Sequence, residues 1–201
     1  MKFTVGPIPE DAHFQPDGDV WTIVREPSLE KMMLLSVPVA VLLGLGTVLL
    51  WILMTPVGIH DIQVLWSIAA TPLLIPVHEI AHASGFPTRG WIAKTCFGVW
   101  PSRLAFYAHY QGPLSRNRVL VVLVLPLALI SISPLVLCSV LRTVSPVAMY
   151  VSIGNAFLSS VDLASFMLVL RQLPRGAVVR QQGLTMWWMI PQLHRDGCSG
   201  G

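Results

Sequence analysis

Charge is scarce in this sequence. Only 11% of its 201 residues are Asp, Glu, Lys or Arg, against roughly 25% in an ordinary soluble domain. With 54% hydrophobic residues, that shortage excludes a water-soluble domain of usual composition and points to an integral membrane chain. Cysteine is scarce as well. Cys96, Cys138 and Cys198 are odd in number, far apart and never in a CxxC pair, which excludes a disulfide framework and a cysteine zinc site. The first 31 residues carry six acidic and three basic residues and no apolar core. They lack the organisation of a secretory signal peptide and are read as a partly disordered cytosolic tail. Internal repeats are absent, and the only low-complexity run is the short Gly/Ser-rich end at 198–201, read as frayed. The net charge of +3 comes from basic residues scattered between apolar segments, not from one patch, so nucleic acid is not an expected partner.

What the chain has in abundance is apolar length. Four runs, at about 32–54, 62–84, 119–141 and 146–170, meet the roughly 20 residues needed to cross hydrocarbon. The turn at 55–61, with Pro56 and Gly58, makes the first two an antiparallel pair. Three Lys or Arg precede helix one, five lie between helices two and three, and four follow from Arg171, against Arg142 alone on the other side. Twelve to one predicts a multi-pass protein of the cell membrane with both termini cytoplasmic. The stretches 93–99 and 104–110 mix aromatic, β-branched and small residues around Trp100-Pro101-Ser102, the texture of a short β-hairpin. The expected fold is therefore all-α integral membrane, with about four transmembrane helices and that hairpin between helices two and three. Its organisation is a cytosolic tail at 1–31, a four-helix membrane core at 32–171 and a second cytosolic tail at 172–201. Pro72, Pro76, Pro126 and Pro134 fall inside expected helices, where each removes a backbone donor, leaves a carbonyl free and kinks its helix. Trp51, Trp91 and Trp100 sit near expected helix ends, as in an aromatic belt.

The second apolar run contains His78-Glu79-Ile80-Ala81-His82. Residues four apart on a helix differ by about 40°, so both imidazoles can reach one ion while Glu79 faces its open side. Catalytic zinc usually takes three protein ligands and leaves a fourth position for water. The strongest third candidate is Asp162, the only acidic residue in the stretch 146–170, where a carboxylate costs roughly 2.5 to 3.5 kcal/mol at mid-membrane. His78 and Asp162 each lie 16 residues into their helices, counted from 62 and 146, or about 24 Å at 1.5 Å per residue, so the two stand level. Ser152, Asn155, Ser159 and Asp162 fall within about 80° of arc on helix four. Asn155 is the candidate for holding a substrate backbone or supporting an oxyanion, and the serines for bonding between helices. His13, His60, His109 and His194 lie outside the expected spans and read as ordinary histidines, with His109 set apart by its place in the hairpin.

These residues carry a resemblance. The stretches Ile75-Pro76-Val77-His78-Glu79-Ile80-Ala81-His82, Gly112-Pro113-Leu114-Ser115-Arg116, Gly154-Asn155 through Asp162, and Leu173-Pro174-Arg175-Gly176-Ala177 resemble those of site-2-protease-type zinc metalloproteases. More closely, they resemble a small bacterial family of membrane zincin peptidases. The resemblance implies Zn2+ held by His78, His82 and Asp162, with Glu79 as the catalytic base. It further implies a zinc-dependent, membrane-embedded endopeptidase whose partners are the lipid bilayer and a membrane protein or peptide substrate. Site-2 proteases typically have Asp-Gly at the third ligand, whereas Leu163 follows Asp162 here. The alternative reading is a catalytically silent metal-binding membrane scaffold or chaperone. Glu79 separates the two, because a scaffold has no use for a base beside its metal. A membrane di-iron oxidase would need many more clustered histidines than this single pair.

Overall fold

The computed structural model describes residues 1–56, 64–89, 91–103 and 105–191, with 29 and 64–70 as backbone only. Most of the turn expected at 55–61, residue 104 of the expected hairpin and the end at 198–201 lie outside that set. In chain order the elements are β1 (Lys2–Val5), β2 (Thr22–Ile23), α1 (Leu29–Met54), α2 (Val64–Ser84), a short α3 (Trp91–Lys94), β3 (Thr95–Trp100), β4 (Ala105–Tyr110), β5 (Leu114–Ser115), α4 (Arg116–Pro126), α5 (Ser133–Val140), α6 (Pro146–Gln172), β6 (Val178–Gln182) and β7 (Thr185–Met189). A π-helical stretch, Leu127–Ile132, joins α4 to α5.

Three helices begin on a serine whose side chain accepts the amide three residues on: Ser28 from Lys31, Ser115 from Arg118 and Ser145 from Ala148. Each cap satisfies a donor that the first turn leaves unpaired. Glu30–Met54, Arg116–Leu141 and Pro146–Gln172 are each long and apolar enough to cross a membrane. α2 occupies the position of the second expected span and stays helical through Pro72 and Pro76. α6 is the central helix, packed against α1, α2, α4 and the π-helical stretch.

The chain is not purely all-α, because it also builds two small sheets. The stretch read as a hairpin pairs antiparallel as β3 and β4, from Thr95 opposite Tyr110 to Trp100 opposite Ala105. β1 adds to it in parallel, with Lys2 opposite Cys96 and Val5 opposite Val99. The second sheet has the order β2-β7-β6-β5. Its β6–β7 turn passes through Gly183 at φ +57, a left-handed conformation that glycine adopts without steric cost. The segments on both sides of the helical core therefore supply strands. Between β1 and β2, Asp11 receives a hydrogen bond from Arg180 at 2.6 Å, and the Arg180 guanidinium stacks over Phe14. These two contacts fasten the N-terminal segment to β6.

All the strands lie at one end of the helices, since they precede α1 and α4 and follow α2 and α6. Two apolar clusters fix them there. Val24, Val119, Val169, Leu173, Ala177 and Val179 join the second sheet to α4 and α6. Ala83, Phe86, Tyr110 and Val122 join the hairpin to α2 and α4.

Trp51, expected in an interfacial belt, is instead buried with Leu135 and Cys138. Its indole donates to Ser152 Oγ at 3.0 Å and so ties α1 to α6. Between the helices the large ring is buried while its N–H finds a partner, so both halves of the side chain are satisfied. Trp51→Ala is expected to cost roughly 3 to 5 kcal/mol, while Leu34→Ala, on the exposed face of α1, should cost little. Thermal denaturation of the two detergent-solubilised variants measures the difference.

His109 is buried in β4, and neither ring nitrogen has a geometrically sound hydrogen-bond partner among the described residues. Burial pushes its imidazole below the ordinary histidine range, and nearby Gln181 and Asp11 pull the other way without overcoming it. The folded state thus binds this proton less readily than the unfolded chain. Stability is full above about pH 6.5 and falls as pH drops below it. Denaturation midpoints at about pH 7.5 and about pH 5.5 should differ less in His109→Phe than in the wild type.

Candidate metal centre

The pentad lies in the last turns of α2, and Asp162 faces it from α6. His78 Nε2 is 3.1 Å from Asp162 Oδ2, and His82 Nε2 is 3.3 Å from Asp162 Oδ1. The hydrogen bonds on the far sides of the two rings define their tautomers. His82 Nδ1 lies 2.8 Å from the Val122 carbonyl, which can only accept, so Nδ1 carries the proton. Asn155 Nδ2 donates to the Pro126 carbonyl at 2.9 Å. That contact orients the amide and turns Oδ1 toward His78 Nδ1, 2.8 Å away, so this Nδ1 is also the protonated nitrogen. In both rings Nε2 is then the nitrogen that faces the carboxylate.

Two imidazole nitrogens and a carboxylate thus converge on one point, and among the described residues the buried Asp162 Oδ2 atom has no hydrogen-bond partner. A divalent cation there would be met by three ligand groups, two of them already oriented from behind. One ligand atom from each of His78, His82 and Asp162 lies within 4.8 Å of the others, compact enough for the three to hold one ion. The donor set of two imidazoles and one carboxylate fits zinc.

Proline explains the Val122 contact. A helical amide at 126 would bond the carbonyl four residues back, at 122, but Pro126 has no N–H. The Val122 carbonyl is thereby left for His82, an acceptor of the kind that orients metal-binding histidines. The π-helical stretch begins just after this proline, and such bulges frequently mark functional sites. Within it, Ser131 Oγ accepts from Asn155 Nδ2 at 2.9 Å and donates to the Ser152 carbonyl at 2.8 Å.

Glu79, between the histidines, accepts the Ala108 amide on its Oε2 at 2.7 Å. That amide points away from the β3 ladder, so the free edge of β4 holds the carboxylate beside the centre. Glu79, His82 and Asp162 line one cavity of about 240 Å3.

Asn155 does not occupy the place expected of it. It is fully buried, and its amide is engaged by His78, Pro126 and Ser131, so both amide protons are taken and neither is left to donate to an oxyanion. Its work is to orient His78. Ser152 is buried and bonds between helices as expected, donating to the Ser131 carbonyl, whereas buried Ser159 accepts from Asn155 on its own helix at 3.4 Å. His13 is exposed and His109 is buried in β4, while His60 and His194 lie outside the described residues. The sequence reading did not single out the Val122 carbonyl or the Ala108 amide, since backbone groups leave no mark in residue identity. Pro126 was the available signal for the first.

Asn155→Leu keeps all three ligands but removes the acceptor behind His78. Zinc affinity should fall by roughly 10- to 100-fold, whereas His82→Ala should abolish stoichiometric binding. Competition against a chromogenic zinc chelator measures both.

Residues 71–178 match the family DUF3267, described as "Putative zincin peptidase". No curated protein and no solved structure matches the chain. The matched region covers more than half of the chain and contains the pentad, Pro126, Asn155 and Asp162. This protein belongs to the zincin peptidase family DUF3267, with zinc as its cofactor.

Proposed function

We propose that this protein is a membrane-embedded zinc endopeptidase of the site-2-protease type, acting on membrane-associated or transmembrane proteins. The observation that carries the reading is the convergence of His78, His82 and Asp162 beside a carboxylate anchored by a strand edge. A silent metal scaffold has no need of Glu79 held in that position.

Bound there, zinc supplies Lewis acidity toward water and toward the scissile carbonyl. Glu79 does the proton work. Its Oε2 is occupied by Ala108, so Oε1 takes the proton from the attacking water and later delivers it to the leaving amine. Asn155 and the Val122 carbonyl keep both imidazoles aimed as the charge changes. The edge of β4 can pair with an extended substrate only over a short length, since the Ala108 amide is taken by Glu79 and the Tyr110 carbonyl by Gly112. The outward groups of Phe106 and the Ala108 carbonyl remain to hold an unwound segment.

Two features support the membrane part of the reading. The outer faces of the long helices expose leucines such as Leu34, Leu42 and Leu53 of α1 and Leu137 of α5, which in water would form one large apolar patch. A second cavity, of about 370 Å3, reaches Glu79 from outside and is walled by Met1, Phe3, Pro76, Ile80, Val99 and Phe106. Ile80 continues an exposed stripe with Leu73 and Val77 on α2, so an apolar chain could reach the base along that helix. The distribution of Lys and Arg supports an inward-facing sheet end, with both termini in the cytoplasm of a multi-pass cell-membrane protein.

Glu79→Gln should keep about one zinc per chain and lose about 10²- to 10⁴-fold in turnover of a reconstituted membrane-protein substrate. Cleavage at the wild-type rate would overturn the enzyme reading.

A further inference from the structure

We propose that the chamber behind the metal centre is a specificity pocket for one large, uncharged apolar side chain next to the scissile bond. The inference rests on the endopeptidase reading and concerns what that site selects. One end of the chamber holds Glu79, His82 and Asp162, and the rest is walled by Phe86, Tyr110, Leu114, Val119, Leu123 and Met186. These residues come from the end of α2, from β4, β5 and β7, and from α4, so the wall is built by both sheets and the bundle together.

Two details set its chemistry. Tyr110 donates its hydroxyl to the Arg89 carbonyl, and Tyr107, which also lines the chamber, donates to the Pro7 carbonyl. Both hydroxyls are turned to backbone acceptors, and the rings act as apolar walls. Among the described residues Gln181 is the one further polar side chain in the lining. Away from the metal centre those residues bring no charge to the lining, so a Lys or Glu side chain entering it would lose its hydration without gaining a counter-ion from them. The size is equally selective. About 240 Å3 falls below the roughly 300 to 1,000 Å3 of pockets that engulf a whole small-molecule ligand, and suits a single Leu, Met or Phe side chain.

The rigidity of the wall supports selection over mere tolerance. Val119 belongs to the buried cluster under the second sheet, and Phe86 and Tyr110 belong to the one under the hairpin. None can move far without opening a core.

The test uses the zinc-loaded full chain in detergent and dipeptide hydroxamates, whose chelating group seats at the metal and whose neighbouring side chain is Gly, Leu, Phe or Lys. Affinities are read by competition against a fluorescent hydroxamate. Leu and Phe should bind at least about tenfold more tightly than Gly, and Lys no more tightly than Gly. Val119→Phe, which fills the chamber, should erase the gain for Leu and Phe. Equal affinities across the series overturn the proposal, as does a gain that survives in a folded, zinc-loaded Val119→Phe protein. Turnover separates this from the underlying reading. The expected preference without cleavage of any protein substrate overturns the endopeptidase and leaves the pocket. Cleavage with no side-chain preference overturns the pocket and leaves the endopeptidase.

Discussion

Each metal-facing nitrogen depends on a hydrogen bond made on the opposite side of its ring, and both bonds lead to backbone carbonyls at the end of α4. Pro126 leaves the Val122 carbonyl without a helical donor, and His82 takes it up. The carbonyl of Pro126 itself holds the Asn155 amide, which turns its oxygen to His78. The end of α4 thereby orients two ligands on α2 through two routes, one a carbonyl that the proline leaves free and the other the Asn155 amide.

Around the end of α4 the bundle interior is polar in a controlled way. Ser131 and Ser152 exchange hydrogen bonds with one another's carbonyls, Asn155 binds Ser131, and Trp51 donates to Ser152. In a low-dielectric interior an unpaired polar group is costly, and a satisfied network is rigid. The network joins α1, α6 and the π-helical stretch, and it holds Asn155 still. Among the described residues Asp162 Oδ2 is left without such a partner, on a side chain that would hold the metal.

The sheets complete the site from one end. β4 presents the Ala108 amide to Glu79, and the second sheet closes the chamber beyond His82. The N-terminal segment connects the two, pairing β1 with β3 and β2 with β7. Segments that look like tails by composition become walls of the cleft because each finds an open strand edge.

The sequence by itself determined the ligand chemistry, the long apolar helices and the hairpin. A histidine pair four residues apart, a lone acid in an apolar run and an alternation of β-branched and aromatic residues are all local patterns. Depth counting placed His78 level with Asp162, because helical rise is nearly constant. Only the tertiary structure decided what Asn155 does, that Trp51 is interior, and that residues 2–5 and 22–23 are strands. Each of these depends on a partner far away in the chain: His78 for Asn155, Ser152 for Trp51, β3 for β1 and β7 for β2. Helical periodicity shows which residues share a face, but an amide's hydrogen bonds depend on the groups that other elements bring to it.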